Sequence, residues 1–213
     1  DNKLSARIAK QSPGRQISVW HYISAKERSL LRKTLKLPGQ HNFRNAQAAL
    51  AAAKYLGCPL KKSLAAISKF KGNEHRLEFV RNLKDVRYYN DSANTDPEGT
   101  VAAARAFREP KVLIVGGKDK GLDYKIWAQA LPRARIRALI LMGENKNKIK
   151  KALRITNKVR IYESTNLKKA VGLAKKLAQS GDVVILSPGA ASFDMFKSYA
   201  DRGQKFKQLV RLL

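Results

Sequence analysis

Five short stretches of this 213-residue chain carry side chains that could do chemistry. Asn90-Asp91-Ser92-Ala93-Asn94-Thr95 is a polar loop: its short side chains bond their own backbone and break regular structure. Gly116-Gly117-Lys118-Asp119-Lys120-Gly121 pairs glycines, which let a ligand approach the backbone, with lysines that can meet a carboxylate or phosphate. Ser187-Pro188-Gly189-Ala190-Ala191-Ser192 is built from small residues, and Ser192 at a helix start would suit an anion. Glu74-His75-Arg76 offers an imidazole, and a guanidinium able to stack on a ring or clamp an anion. Asn42 and Asn45 fall on one helical turn, where Asn42 can act as a cap.

Each stretch also has an ordinary reading. Turns after strands use glycine, Ser192 can be a simple cap, and His75 can be a packed linker histidine. No G-x-x-x-x-G-K-[ST] loop occurs in the chain, and no Ser-His-Asp set, Cys/His metal cluster or paired-carboxylate motif is recognisable. Taken together, the stretches describe anion sites along one sheet edge, beside a domain joint.

The elements that position them alternate. Strands are expected at Leu77–Arg81, Val86–Tyr89, Lys111–Val115, Arg137–Met142, Val159–Tyr162 and Asp182–Leu186. Helices are expected at Pro97–Phe107, Asp123–Leu131, Asn145–Leu153, Thr165–Gln179 and Ser192–Leu213, the last broken near Gly203. Runs such as VLIV, ALILM and VVIL read as strands buried on both faces, and Thr95 or Asp96 can cap the helix opened by Pro97. The expectation is a doubly wound, mostly parallel, Rossmann-like α/β domain over 73–213. Before it, Asn42–Gly57 and Leu60–Phe70 read as helices, DNKLSARIAK as a short helix and QISVWHY as a strand. Residues 1–72 then look like the end of another domain.

Forty-four Lys and Arg against sixteen Asp and Glu give a formal charge of +28. That invites a nucleic-acid reading. The basic residues are spread along the whole chain, however, and are not interleaved with aromatics as a base-stacking platform requires. The densest run, Lys146–Arg160, has Ile149 and Leu153 four apart, so its lysines read as the wet face of an amphipathic helix. Specific nucleic-acid binding is therefore not expected. A single cysteine, Cys58, fits a reducing cytoplasm, and no run approaches the roughly 18 apolar residues of a membrane span.

LPGQHNFRNAQAALAAA, FKGNEHRLEFV, YYNDSANTDPEGT, GGKDKG and LSPGAASFDMFKSYADRG, in this order, resemble the Mur ligases of peptidoglycan synthesis. The resemblance covers Leu37–Leu213, and the last stretch is similar to members that add D-glutamate. It implies that residues 1–72 are the C-terminal part of a central ATP-binding domain and that 73–213 bind D-glutamate. It implies nucleotide contacts for Asn42, Asn45, His75, Arg76 and Asp91, and a D-glutamate shell of Thr95, Lys120, Ser192, Phe193 and Tyr199. The implied reaction uses ATP and Mg²⁺ to phosphorylate the alanine carboxylate of UDP-N-acetylmuramoyl-L-alanine, and the D-glutamate amine then attacks the acyl phosphate. A monomer in the cytoplasm, with no membrane partner, is the matching expectation.

The chain departs from the family pattern at Ala93, where the loop often carries lysine, at Asn94, where it carries alanine, and at Tyr199, where phenylalanine is common. The P-loop and magnesium ligands do not occur in it, so no catalytic residue is assigned and the chain alone is expected not to turn over. Two alternatives stand beside this reading: a basic α/β module binding nucleic acid or an acidic partner, and a Mur ligase adding another amino acid.

Overall fold

The computed structural model describes residues 7–8, 10–11, 13, 18–153 and 159–213. The chain divides into two compact units, Asp1–Lys71 and Gly72–Leu213.

The first unit is helical where described: α1 (Val19–Tyr22), α2 (Ala25–Thr34), α3 (Gln40–Tyr55) and α4 (Leu60–Lys69). Val19–Tyr22 is thus one helical turn and not the strand expected there, and Gln16 and Ile17 lie outside the described residues. Local hydrogen bonding has overridden β propensity. Ser18 O accepts from Tyr22 N, and Ser24 starts α2 with a capping box in which its hydroxyl accepts from Glu27 N and its own N–H donates to the Glu27 carboxylate. Of the helix expected over DNKLSARIAK, residues 7, 8 and 10 are helical, and 1–6 and 9 lie outside the described residues. Asn42 does not cap α3. Gly39, at φ 94°, holds the cap position, and Asn42 sits in the first turn with its amide donating to Pro38 O at 2.7 Å. Ile23, Leu31, Phe43, Ala46, Leu50 and Ala51 form this unit's core.

The second unit is one six-stranded sheet: β1 (Glu78–Leu83), β2 (Val86–Asn90), β3 (Lys111–Val115), β4 (Ile136–Leu141), β5 (Ile161–Glu163) and β6 (Val183–Leu186), in the order β1-β2-β6-β3-β4-β5. β1 pairs antiparallel with β2, and every other pairing is parallel. Alternation along the strands explains the layering. Leu113, Val115, Leu139, Leu141, Val183 and Ile185 face one core, closed by α5 (Pro97–Arg105), α6 (Lys125–Ala130) and α7 (Lys146–Leu153). Val112, Ile114, Ala138, Ile140, Val184 and Leu186 face the other, closed by α8 (Leu167–Leu177) and α9 (Tyr199–Arg211). Central strands covered on both faces must be apolar throughout, which is why their sequence shows no alternation. The α/β, mostly parallel fold is as expected.

The last helix differs from expectation at its start. It begins at Tyr199, capped by the Ser198 hydroxyl accepting from Asp201 N, and it runs unbroken through Gly203. Ser192 instead opens a single turn in which its carbonyl accepts from Met195 N and Phe196 N.

Gly203 is required by close approach: a Cβ there would meet His75 Nδ1 at 2.3 Å and Asn90 Nδ2 at 3.1 Å. Gly172, in α8, would place a Cβ in open space. Gly203→Ala is expected to destabilise the fold by about 1–3 kcal/mol through overpacking. Gly172→Ala is expected to stabilise it by up to about 1 kcal/mol through helix propensity. Chemical denaturation midpoints of the two variants check the pair, and the opposite order would contradict the packing.

Candidate functional site

Because β2, β6, β3, β4 and β5 run parallel, the loops that follow them emerge at one edge of the sheet. That edge collects Asn90–Thr95 after β2, Gly116–Gly121 after β3 and Ser187–Ser192 after β6. Backbone bonds weld the last two: Gly116 N donates to Pro188 O at 2.8 Å, and Lys118 N donates to Ala191 O at 2.9 Å. Gly117 is pressed between them, where a Cβ would lie 2.2 Å from Ala191 O.

Behind the loops sits Arg202, fully buried, on the fourth residue of α9. Its Nε donates to the Ser92 hydroxyl at 2.9 Å, one terminal nitrogen to Ser92 O at 2.8 Å, and the other to Ala190 O at 3.1 Å. The Ser92 hydroxyl in turn donates to Tyr199 O at 2.7 Å. One guanidinium therefore fixes the loop after β2, the loop after β6 and the start of α9. Burial lowers its pKa to about 10, so it stays charged at neutral pH.

A second network holds the loop after β2 from within. The Ser187 hydroxyl donates to Asp91 Oδ2 at 2.7 Å, Asn94 Nδ2 donates to both the Ser187 and Thr100 hydroxyls at 2.9 Å, and Thr100 donates to Ser187 O at 3.0 Å. Asp91 Oδ1 accepts from Leu77 N at 3.1 Å. Asn145 completes the rear wall: its Oδ1 accepts from Gly117 N at 2.9 Å, and its amide donates to the Tyr124 hydroxyl at 2.6 Å.

The expected D-glutamate shell lies on this edge in part directly. Lys120 Nζ rests 5.4 Å from the centre of the Phe193 ring, bringing the loops after β3 and β6 together at the side-chain level. Thr95 and Lys120 are exposed, as are Phe193 (64%) and Tyr199 (48%), whereas Ser192 is only 2% exposed. Ser192 does not stand at a helix N-terminus, so the dipole expected behind it is not there. The residues that follow it make a single turn before α9 begins.

The residues expected on the nucleotide side are placed differently from one another. Asn42 and Asn45 belong to the first unit, with Asn45 exposed. In the second unit Arg76 is exposed between two residues held at positive φ, His75 (63°) and Leu77 (44°). Such backbone is costly for side chains other than glycine and needs outside support. It gets it: His75 N donates to Glu78 at 3.0 Å, Leu77 N donates to Asp91, and His75 O accepts from Ala93 N at 3.0 Å. His75 itself is buried. Its Nδ1 accepts from Asn90 Nδ2 at 2.8 Å, and its ring meets Tyr199 edge-on at 5.9 Å. Burial lowers its pKa, with Lys207 adding to the effect against Glu74 and Glu78, so the ring is neutral at pH 7.

Glu74, His75 and Glu78 are the group of potential metal ligands found among the described residues, and they do not fit Mg²⁺. Lys207 Nζ already takes Glu74 at 2.6 Å and Glu78 at 3.0 Å, and a hard cation prefers an all-oxygen site. No helix among the described residues is long and apolar enough to cross a membrane.

Sequence reading missed Arg202, Asn145, Tyr124 and Lys207. Arg202 had a signal: Arg202, Phe206 and Val210 are four apart, on the stripe that α9 buries. Asn145, Tyr124 and Lys207 had none beyond residue type.

Desolvation pushes the Asp91 carboxyl up to about 7, against the lowering pull of the Ser187 and Leu77 bonds and of Arg76. The folded state then holds this proton more tightly than the unfolded chain, so Asp91 contributes full stability below about pH 4 and loses it as pH rises through 7. Asp91→Asn is expected to flatten the pH 4–7 slope of unfolding free energy, on the order of a few kcal/mol in the unsubstituted protein. Urea titrations across that range check it, and an unchanged slope would contradict the assignment.

A model of the family described as Mur ligase, glutamate ligase domain, matches residues 75–189. The UDP-N-acetylmuramoylalanine–D-glutamate ligase of Pelotomaculum thermopropionicum is 42% identical over 176 residues, which cover 83% of this chain and 38% of that protein. Its counterpart in Acinetobacter baylyi is 42% identical over 186 residues, 84% of this chain and 41% of that protein. The chain thus spans well under half the length of these relatives. Among solved structures, the UDP-N-acetylmuramate–alanine ligase of Thermotoga maritima superposes with a TM-score of 0.61 at 18% identity, over 84% of this chain and 39% of that one, which shows a shared fold. With sequence, fold and ordered loop motifs in agreement, the chain belongs to the Mur ligase family.

Proposed function

We propose that this chain is part of an ATP-dependent ligase that joins D-glutamate to UDP-N-acetylmuramoyl-L-alanine in the cytoplasm, with Gly72–Leu213 gripping D-glutamate and the residues before it ending an ATP-binding domain. The observation that carries the reading is the meeting of Lys120 and Phe193 at a sheet edge whose loops are locked from behind by Arg202. The names of the relatives at 42% identity support the choice of amino acid.

In this reading D-glutamate meets an ammonium from Lys120, the Thr95 and Ser192 hydroxyls and the face of Tyr199, with Phe193 on the same edge beside Lys120. A fixed edge of this kind holds the amine for attack on an activated acid without reorganising at the moment of reaction. Asn42, Asn45 and Arg76 are assigned to the nucleotide. His75 and Asp91, being enclosed, serve it by pinning the backbone on either side of Arg76. ATP supplies the phosphoryl group that activates the acid. The residues of this chain bind and orient, and Mg²⁺ has no assigned ligands among those described.

The test is calorimetric titration of D-glutamate. Lys120→Ala is expected to weaken binding about ten-fold or more, the worth of one charge-assisted hydrogen bond. Its unfolding midpoint is expected to stay put, because an exposed loop lysine carries little packing. Unchanged affinity would overturn the reading.

A further inference from the structure

The cations near this edge are largely spoken for. Lys118 is paired with Glu144 at 2.8 Å, Lys148 with Asp119 at 3.2 Å, and Arg202 is enclosed with three acceptors. The loop after β2, Asn90 to Thr95, contains no cation. Lys120 differs: among the described residues it makes no ion pair, and its ammonium lies 5.4 Å from the centre of the Phe193 ring. A lysine on an exposed loop has a long, mobile stem, and fixing it on ligand binding costs rotamer entropy.

Phe193 is well placed to reduce that cost. The residue is 64% exposed, so its ring is not held there by burial in the core. Its backbone is nevertheless flanked by hydrogen-bonded residues. Ser192 before it is buried and opens the turn closed by Met195 N and Phe196 N, and Asp194 after it accepts from Glu144 N at 3.0 Å. An aromatic face on a fixed turn attracts an ammonium by its quadrupole and leaves the outward side of the cation open to an anion.

We infer that Phe193 is a positioning residue for the carboxylate of the bound amino acid: it parks the Lys120 ammonium on its ring, so that the cation waits in place for the anionic ligand. The inference deepens the D-glutamate reading and rests on it. Phe193 acts through Lys120, so its value vanishes when the ammonium is removed.

A double-mutant cycle read by calorimetry with D-glutamate tests this. Phe193→Leu is expected to weaken binding about two- to five-fold with no loss of unfolding midpoint, the worth of one exposed cation–π contact. Phe193→Tyr, which keeps the ring, is expected to bind as the unsubstituted protein does. In the Lys120→Ala background, Phe193→Leu is expected to have no further effect. Equal losses from Phe193→Leu in both backgrounds would overturn the proposal, showing direct contact of the ring with the ligand. So would unaltered binding by Phe193→Leu beside a weakened Lys120→Ala. A Lys120→Ala protein that binds as tightly as the unsubstituted one overturns the underlying reading, and the proposal with it.

Discussion

A guanidinium with no exposed surface sets the geometry of this protein's working edge. Arg202 reaches from the first turn of α9 into the sheet rim and satisfies acceptors on two loops that are about a hundred residues apart in sequence. Burying such a charge costs several kcal/mol, which is recovered only when its donors find good partners. Three of its bonds are accounted for here, all to groups that would otherwise be buried acceptors. Lysine would not serve. It offers a point charge, whereas the planar fork spans Ser92 and Ala190 at once.

The other constraints hang from that one. With Ser92 fixed, Asn90 Oδ1 can accept from Ser92 N, which turns the Asn90 amide toward His75 Nδ1. His75 is then held neutral under Gly203, and its neighbours Arg76 and Leu77 take the backbone path that Asp91 and Glu78 stabilise. Polar groups that are enclosed and hydrogen-bonded specify one arrangement of loops, whereas a looser apolar packing would admit several. The exposed residues, Thr95, Lys120, Phe193, Tyr199 and Arg76, stand on that frame and are free to meet ligands.

Much of the fold was legible because both-face burial leaves an unmistakable mark: VLIV and VVIL can be little else in a chain of this composition. Asp96 and Pro97 announced α5, and Asp96 does accept from Gly99 N at 2.7 Å. What could not be read was set by neighbours distant in sequence. The spacing of Arg202 with Phe206 and Val210 put it on an inward stripe but did not say which loops it would reach, and nothing in SFDMFKS says that the chain makes one turn before the helix begins at Tyr199. The VWHY part of QISVWHY failed for the opposite reason. Its β-branched and aromatic residues favour a strand in isolation, but Ser18 supplies local bonds that close a helical turn. Asp91 shows the limit most clearly. Its position in the loop was evident, but its burial, and the tie to Leu77 fourteen residues earlier, belong to the tertiary structure alone.

The central claim is that one edge of the sheet, locked by Arg202, receives an amino acid with acidic groups. Amide chemical-shift mapping on addition of D-glutamate tests it most directly. The account predicts perturbations clustered in residues 92–95, 117–121 and 190–199. Shifts confined to the opposite edge, around Lys84–Asp85 and Gly181, or scattered over both, would contradict it.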